Sequence, residues 1–247
     1  MGELIGVASG KGGVGKTWLS ITLGHALTRL GRRVLLFDGD LGLANLDIQL
    51  GVAPVTDLGA VLTGRAALKD AILSHPPTGL DLICGRSGSG RLAELSKPRI
   101  QGLLEGLGQL ARQYDYVLLD LAAGLDIVVR QAMLKADRRL VVTTDEPTAL
   151  TDAYALIKVG EADGARGRLM VAINLADDGF SGASTFDGLA RVCERFLDRR
   201  PESLGVVRRD ARVRDAIRNQ SPLLERHPGT TASKDVEAMA RRLTTDR

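Results

Sequence analysis

The chain is poor in aromatics: Phe, Trp and Tyr make up only 3% of its 247 residues. Its core must therefore be built mainly from Leu, Val, Ile and Ala. Its two cysteines, Cys84 and Cys193, make no disulfide framework and have no metal-ligand spacing, so they are expected as thiols in a reducing cytoplasm. No run approaches the ~18 consecutive apolar residues that cross a bilayer. Met1-Gly2-Glu3-Leu4 lacks a charged region followed by an apolar one, so no export signal is expected. Linkers, low-complexity runs and repeats are also missing, and a single domain over 1–247 is the expectation. The charge bias is slight, a net +3, although arginine far outnumbers lysine.

What is present is the balance of a soluble globular protein, 44% hydrophobic and 26% charged, in a chain long enough to bury a substantial core. Short Val/Leu/Ile-rich runs at 4–8, 33–37, 80–84, 116–121, 140–144, 169–174 and 204–207 read as strands covered on both faces. Between them lie helical stripes. Leu19, Leu23, Ala26, Leu27 and Leu30 form one, stopped by Gly31, and Ile100, Leu103, Leu104, Leu107, Leu110 and Ala111 form another. Alternating strand and helix predicts an α/β fold: a mostly parallel sheet of seven to eight strands with helices on both faces.

The run Gly10-Lys11-Gly12-Gly13-Val14-Gly15-Lys16-Thr17 follows the first strand and opens the first helix. This is the P-loop pattern in its confirming context. Its glycines let the backbone wrap phosphate oxygens with N–H groups pointing inward, and the helix N-terminus adds partial positive charge. Lys16 has the reach for the β- and γ-phosphates of ATP, and the Thr17 hydroxyl suits the shell of a Mg²⁺ ion. Lys11 is not required by the general pattern, and its place suggests reach toward a nucleotide held by a neighbouring subunit. A P-loop also needs carboxylates on adjacent strands. Asp38 and Asp40 end the second predicted strand, and Asp120 follows four apolar residues as in a Walker B strand. A lone aspartate there would read as a loop cap; three in step with a P-loop read as metal and water ligands.

Residues 9–17 resemble the deviant Walker A loop of the MinD/ParA superfamily of ATPases. In that family the lysine at the Lys11 position crosses the interface of an ATP-sandwich dimer, so the resemblance implies an ATP-dependent homodimer. Residues 38–47 resemble its switch I, where the residue at Asp40 orients the attacking water. Asp120-Leu121-Ala122-Ala123-Gly124 resembles switch II, with Leu121-Ala122 as a departure that removes a hydroxyl near the γ-phosphate. Glu146 and Asp152 match a block that contributes nucleotide and dimer contacts. Asn174 matches the adenine-binding asparagine, an Asx turn at a strand end being the other reading. In the base loop Arg208 replaces a proline, and an arginine there suits stacking over the adenine. The resemblance implies catalytic roles for Lys11, Lys16, Asp40 and Asp120, a metal site of Thr17, Asp38 and Asp120, and cofactors ATP and Mg²⁺.

The runs at 40–45, 146–154 and 219–222 resemble most the FlhG-type members, which set flagellar number and place. That implies an activating or cargo protein as partner, a flagellar-assembly factor among the candidates, and a cytoplasmic protein held at a pole, nucleoid or membrane when ATP-bound. Members that place flagella also use an N-terminal extension to engage a GTPase; this chain starts almost at its first strand and is expected to lack it. Residues 190–220 carry nine arginines against five acids, which supports a ParA-like reading with nonspecific DNA contact through 191–218, or else a solvated, ion-paired face. The tail stripe Val236, Met239, Ala240 and Leu243 lacks Phe and Trp, so docking on its own domain is expected over peripheral membrane binding. A third reading, an amidating biosynthetic ligase, lacks a cysteine nucleophile with suitable surroundings.

Overall fold

The computed structural model describes residues 2–40, 45–85 and 96–245. Residues 41–44, which carry most of the 40–45 run, lie outside them. In chain order the elements are β1 (Glu3–Ser9), α1 (Lys16–Arg29), β2 (Val34–Gly39), α2 (Leu46–Leu50), α3 (Leu58–Leu62), β3 (Ile72–His75), β4 (Leu80–Ile83), α4 (Lys97–Leu110) and β5 (Tyr116–Ala123). They continue with α5 (Ile127–Lys135), β6 (Arg138–Thr143), α6 (Pro147–Ala162), β7 (Arg168–Ala176), α7 (Gly179–Leu197), β8 (Glu202–Arg208), α8 (Ala211–Arg218), α9 (Leu223–Arg226) and α10 (Thr231–Thr245).

The strands form one eight-stranded sheet in the order β3-β4-β2-β5-β1-β6-β7-β8. Among the described strands only the β3–β4 pair is antiparallel. Side chains alternate between two covered faces, as the period of a strand dictates. Ile5, Val7, Leu36 and Leu118 point into a cluster shared with α1, α8, α9 and α10. Leu4, Ala8, Leu35 and Val117 point into one shared with α4 to α7. Each fully buried Leu, Ile or Val contributes about 1.5–3 kcal/mol, which is how a core with so few aromatics holds.

The seven expected strands are present, and β3 is an addition. It is a four-residue edge strand running straight into Pro76 and Pro77, too short and too exposed to leave a clear pattern. Leu30 is 41% exposed, so the α1 stripe ends at Leu27, although Gly31, with φ of 76°, does stop the helix. The strand carrying Asn174 runs two residues further than expected, to Ala176. The tail stripe docks inward: Val236, Met239, Ala240 and Leu243 are at most 1% exposed. The Arg138 guanidinium and the Tyr116 hydroxyl donate to the Leu243 carbonyl, fixing the end of α10. No described helix is long and apolar enough to cross a membrane.

Candidate active site

The strand order reverses around β1, which has β5 on one side and β6 on the other. In open parallel sheets the crevice beyond the strand ends at such a switch point is where ligands bind. Here residues 10–17 leave β1 and enter α1. Two glycines are dictated by geometry. Gly15 has φ of 83°, and a Cβ on it would lie 2.4 Å from Asn174 Nδ2. A Cβ on Gly10 would lie 2.3 Å from the Asp152 carbonyl, because the loop rests on the backbone of α6.

Beside the loop is a cavity of about 500 Å³, lined by residues 12–18 together with Asp40, Asn45, Gln49, Ala123 and Ile217. Two acids are buried on the neighbouring strands β2 and β5. Asp38 and Asp120 are directly opposed across the β2–β5 ladder, and each is 1% exposed. The Lys16 ammonium donates to Asp120 Oδ1 at 2.8 Å, and Ser20 Oγ donates to the same oxygen at 2.9 Å. Asp38 accepts backbone N–H bonds from Asp40, Asn45 and Leu46. Burial, with the charge of Asp120 second, pushes the Asp38 carboxyl up to about 7 against the lowering effect of those bonds. Two facing buried carboxylates, one of them holding the Lys16 ammonium, form a donor set suited to a hard divalent cation. Among the described residues no group of three or more His, Cys, Asp or Glu could hold a metal by itself. In a Mg²⁺ site water and phosphate supply most of the ligands.

Lys11 stands on the rim. Its ammonium donates to Glu146 Oε2 at 2.7 Å and Thr148 Oγ1 at 2.9 Å, both at the start of α6. That hydrogen bond holds the Glu146 carboxyl below its usual range. Asn174 lies under the loop, its Nδ2 donating to the Val14 carbonyl at 2.7 Å. Its Oδ1 is buried and accepts from nothing among the described residues.

One expectation changes. Arg208 does not line the cavity; its guanidinium makes a two-pronged pair with Asp235 of α10, at 3.0 and 2.7 Å, because the carboxylate offers it a stronger partner than a solvent-facing position. Ile217 of α8 is one of the cavity's apolar lining residues. Leu121 is 1% exposed in the core, with its Cδ2 where a Cβ on Gly39 would come within 2.9 Å. The switch II side chain that lines the cavity is therefore Ala123, and the leucine does not intrude there. Trp18, Gln49 and Ile217 were not foreseen as lining residues. Trp18 directly follows Thr17 and could have been read from its place in the first turn of α1, whereas Gln49 and Ile217 are brought in by tertiary packing.

A family model described as an AAA domain matches residues 2–162. The chain is 39% identical over 241 residues to the antiactivator FleN of Pseudomonas aeruginosa, covering 98% of this chain and 86% of FleN. It is 30% identical over 240 residues to the flagellum site-determining protein YlxH of Helicobacter pylori, covering 96% and 80%. Among solved structures, the septum site-determining protein MinD of Pyrococcus horikoshii, complexed with Mg-ADP, is 28% identical with a TM-score of 0.83, covering 98% and 96%.

Proposed function

The chain belongs to the MinD/ParA family of P-loop ATPases, in its FlhG-like branch, and on that premise we propose that it is an ATP-driven dimerisation switch governing flagellar number or placement. The observation that carries the ATPase part is the opposed pair Asp38 and Asp120 with Lys16 seated between loop and strand. The N–H groups of residues 10–17 and the start of α1 bind the phosphates, and Lys16 transfers its charge from Asp120 to them. Thr17, Asp38 and Asp120 would hold Mg²⁺, which when bound offsets the negative charge of the transferring phosphoryl group. Asp40, at the cavity wall, accepts a hydrogen bond from the attacking water and sets its line of approach. The orphaned Asn174 Oδ1 suits the exocyclic amino group of adenine.

Exchange of the Glu146 contact for a nucleotide in a second copy would bring Lys11 across the interface. The dimer face then recruits its target, and hydrolysis dissolves it. Because one relative is named an antiactivator, the proposed partner is an activator protein of flagellar assembly. Asp40→Ala is expected to bind ATP without hydrolysing it and to elute as a dimer in size-exclusion chromatography with ATP; an exclusively monomeric profile overturns the sandwich model.

One observation favours nonspecific DNA as a second surface. Of the nine arginines in 190–220, Arg200, Arg208 and Arg209 are paired with acids, while the other six make no salt bridge among the described residues. The ligase reading loses its nucleophile, since burial pushes the thiols of Cys84 and Cys193 up to about 12 and about 11.

A further inference from the structure

Helix α8 ends at Arg218, and Gln220 beyond it has φ of 49°. A left-handed residue after a helix is the usual place for glycine or asparagine, because a Cβ is strained there. The backbone has reason to adopt it: the N–H groups of Asn219, Gln220 and Ser221 donate to the carbonyls of Asp215, Ile217 and Ala216. Nothing in that cap calls for a glutamine. The side chain instead leaves its own helix. Its Nε2 donates to the Ile48 carbonyl in α2 at 2.8 Å. Gly51, just past α2, gives it room: a Cβ there would lie 3.2 Å from both Gln220 Cβ and Oε1.

The helix so tethered matters to the site. α2 lends Gln49, and its flanking Asn45, to the cavity wall, and α8 lends Ile217. The N–H groups of Asn45 and Leu46, where α2 begins, donate to Asp38 Oδ2 at 3.1 and 3.2 Å. A five-residue helix has little stability of its own, so its place depends on such outside contacts.

We propose that Gln220 is a positioning residue that straps α2 to α8 and thereby presents Asp38 to the divalent cation of bound Mg-ATP. This rests on the reading of the cavity as an ATP site, and it adds that the 219–222 run serves metal-dependent nucleotide binding from outside the site.

The test compares the full chain with Gln220→Gly, Gln220→Glu and Gln220→Lys, measuring ATP affinity with Mg²⁺ and with EDTA, alongside thermal melting. Gln220→Gly removes the strap but relieves the left-handed backbone, so its melting temperature should hold or rise. Gln220→Glu keeps the size and sets an acceptor against the Ile48 carbonyl, while Gln220→Lys keeps a donor. The Gly and Glu variants should lose about two- to tenfold in Mg-ATP affinity, the range of one hydrogen bond, with their Mg-free affinity unchanged. Gln220→Lys should stay within about twofold of the parent. Unchanged Mg-ATP affinity in Gly and Glu overturns the strap, as does an equal loss with and without Mg²⁺. A parent chain that binds no Mg-ATP overturns the site reading itself, a result distinct from either.

Discussion

Lys16 and Asp120 form a pair that is 8% and 1% exposed, so each is the main neutralising charge of the other in a place water scarcely reaches. Truncating one member of such a pair leaves an uncompensated buried charge, at a cost of about 3–5 kcal/mol. Lys16→Ala should therefore do two things: abolish ATP binding, and lower stability in urea unfolding without nucleotide. The double variant Lys16→Met with Asp120→Asn should recover most of the stability and none of the binding, since both charges are then gone. If the single variant unfolds like the parent, the pair is not the neutralising contact described. At this scale the sequence was most legible where chemistry allows little choice. The loop glycines, Lys16, Thr17, Asp38 and Asp120 stand where the spacing put them. Arg208 goes elsewhere because its partner, Asp235, is distant in sequence, and no local pattern reports which of two neighbours a side chain will choose.

Among the elements, α1 is buried along most of its length, and it carries His25 at 2% exposure with Nε2 3.5 Å from Glu225 Oε1 of α9. Burial pushes the His25 pKa down to about 4, with Glu225 partly opposing and Arg29 adding to the fall. The unfolded chain therefore binds a proton at this residue that the folded one refuses between about 6.5 and 4. Its contribution is whole above about pH 6.5 and is lost as pH falls toward 4, about 2 kcal/mol in all once solvent screening is allowed for. Urea unfolding at pH 7 and pH 4.5 should show that slope, and His25→Gln should flatten it. An identical slope in both chains would mean that other groups set the acid limit. Elements with many like neighbours were readable from periodicity, as α4 was. β3 and α2 were not, because they are short and owe their conformation to what they pair with or are tied to.

For the whole molecule, the burial of the α10 stripe bears on which surface the proposed ATP dimer would meet. Those four residues are already used against α1 and β8, so a membrane would have to displace native packing to use them. The six arginines of 190–220 that make no salt bridge among the described residues leave DNA as a better candidate, and the relatives' names leave a protein target. Co-sedimentation of the Asp40→Ala chain with ATP separates these: pelleting with nonspecific DNA at low salt that fades at higher salt supports the arginine face, and no pelleting with DNA or liposomes supports a protein target. Strong binding to anionic liposomes would contradict the docked α10. The two-faced α/β architecture was legible in advance because strand–helix alternation has few other solutions, while the choice of target surface is written in side chains no motif collects. Arg138 has one more implication. Its guanidinium holds Glu3, ahead of all but one described residue, and the carbonyl of Leu243, near the last described turn. The first strand and the last helix thus share a single clasp, so Arg138→Ala should loosen β1 and the end of α10 together, read as faster hydrogen exchange in both.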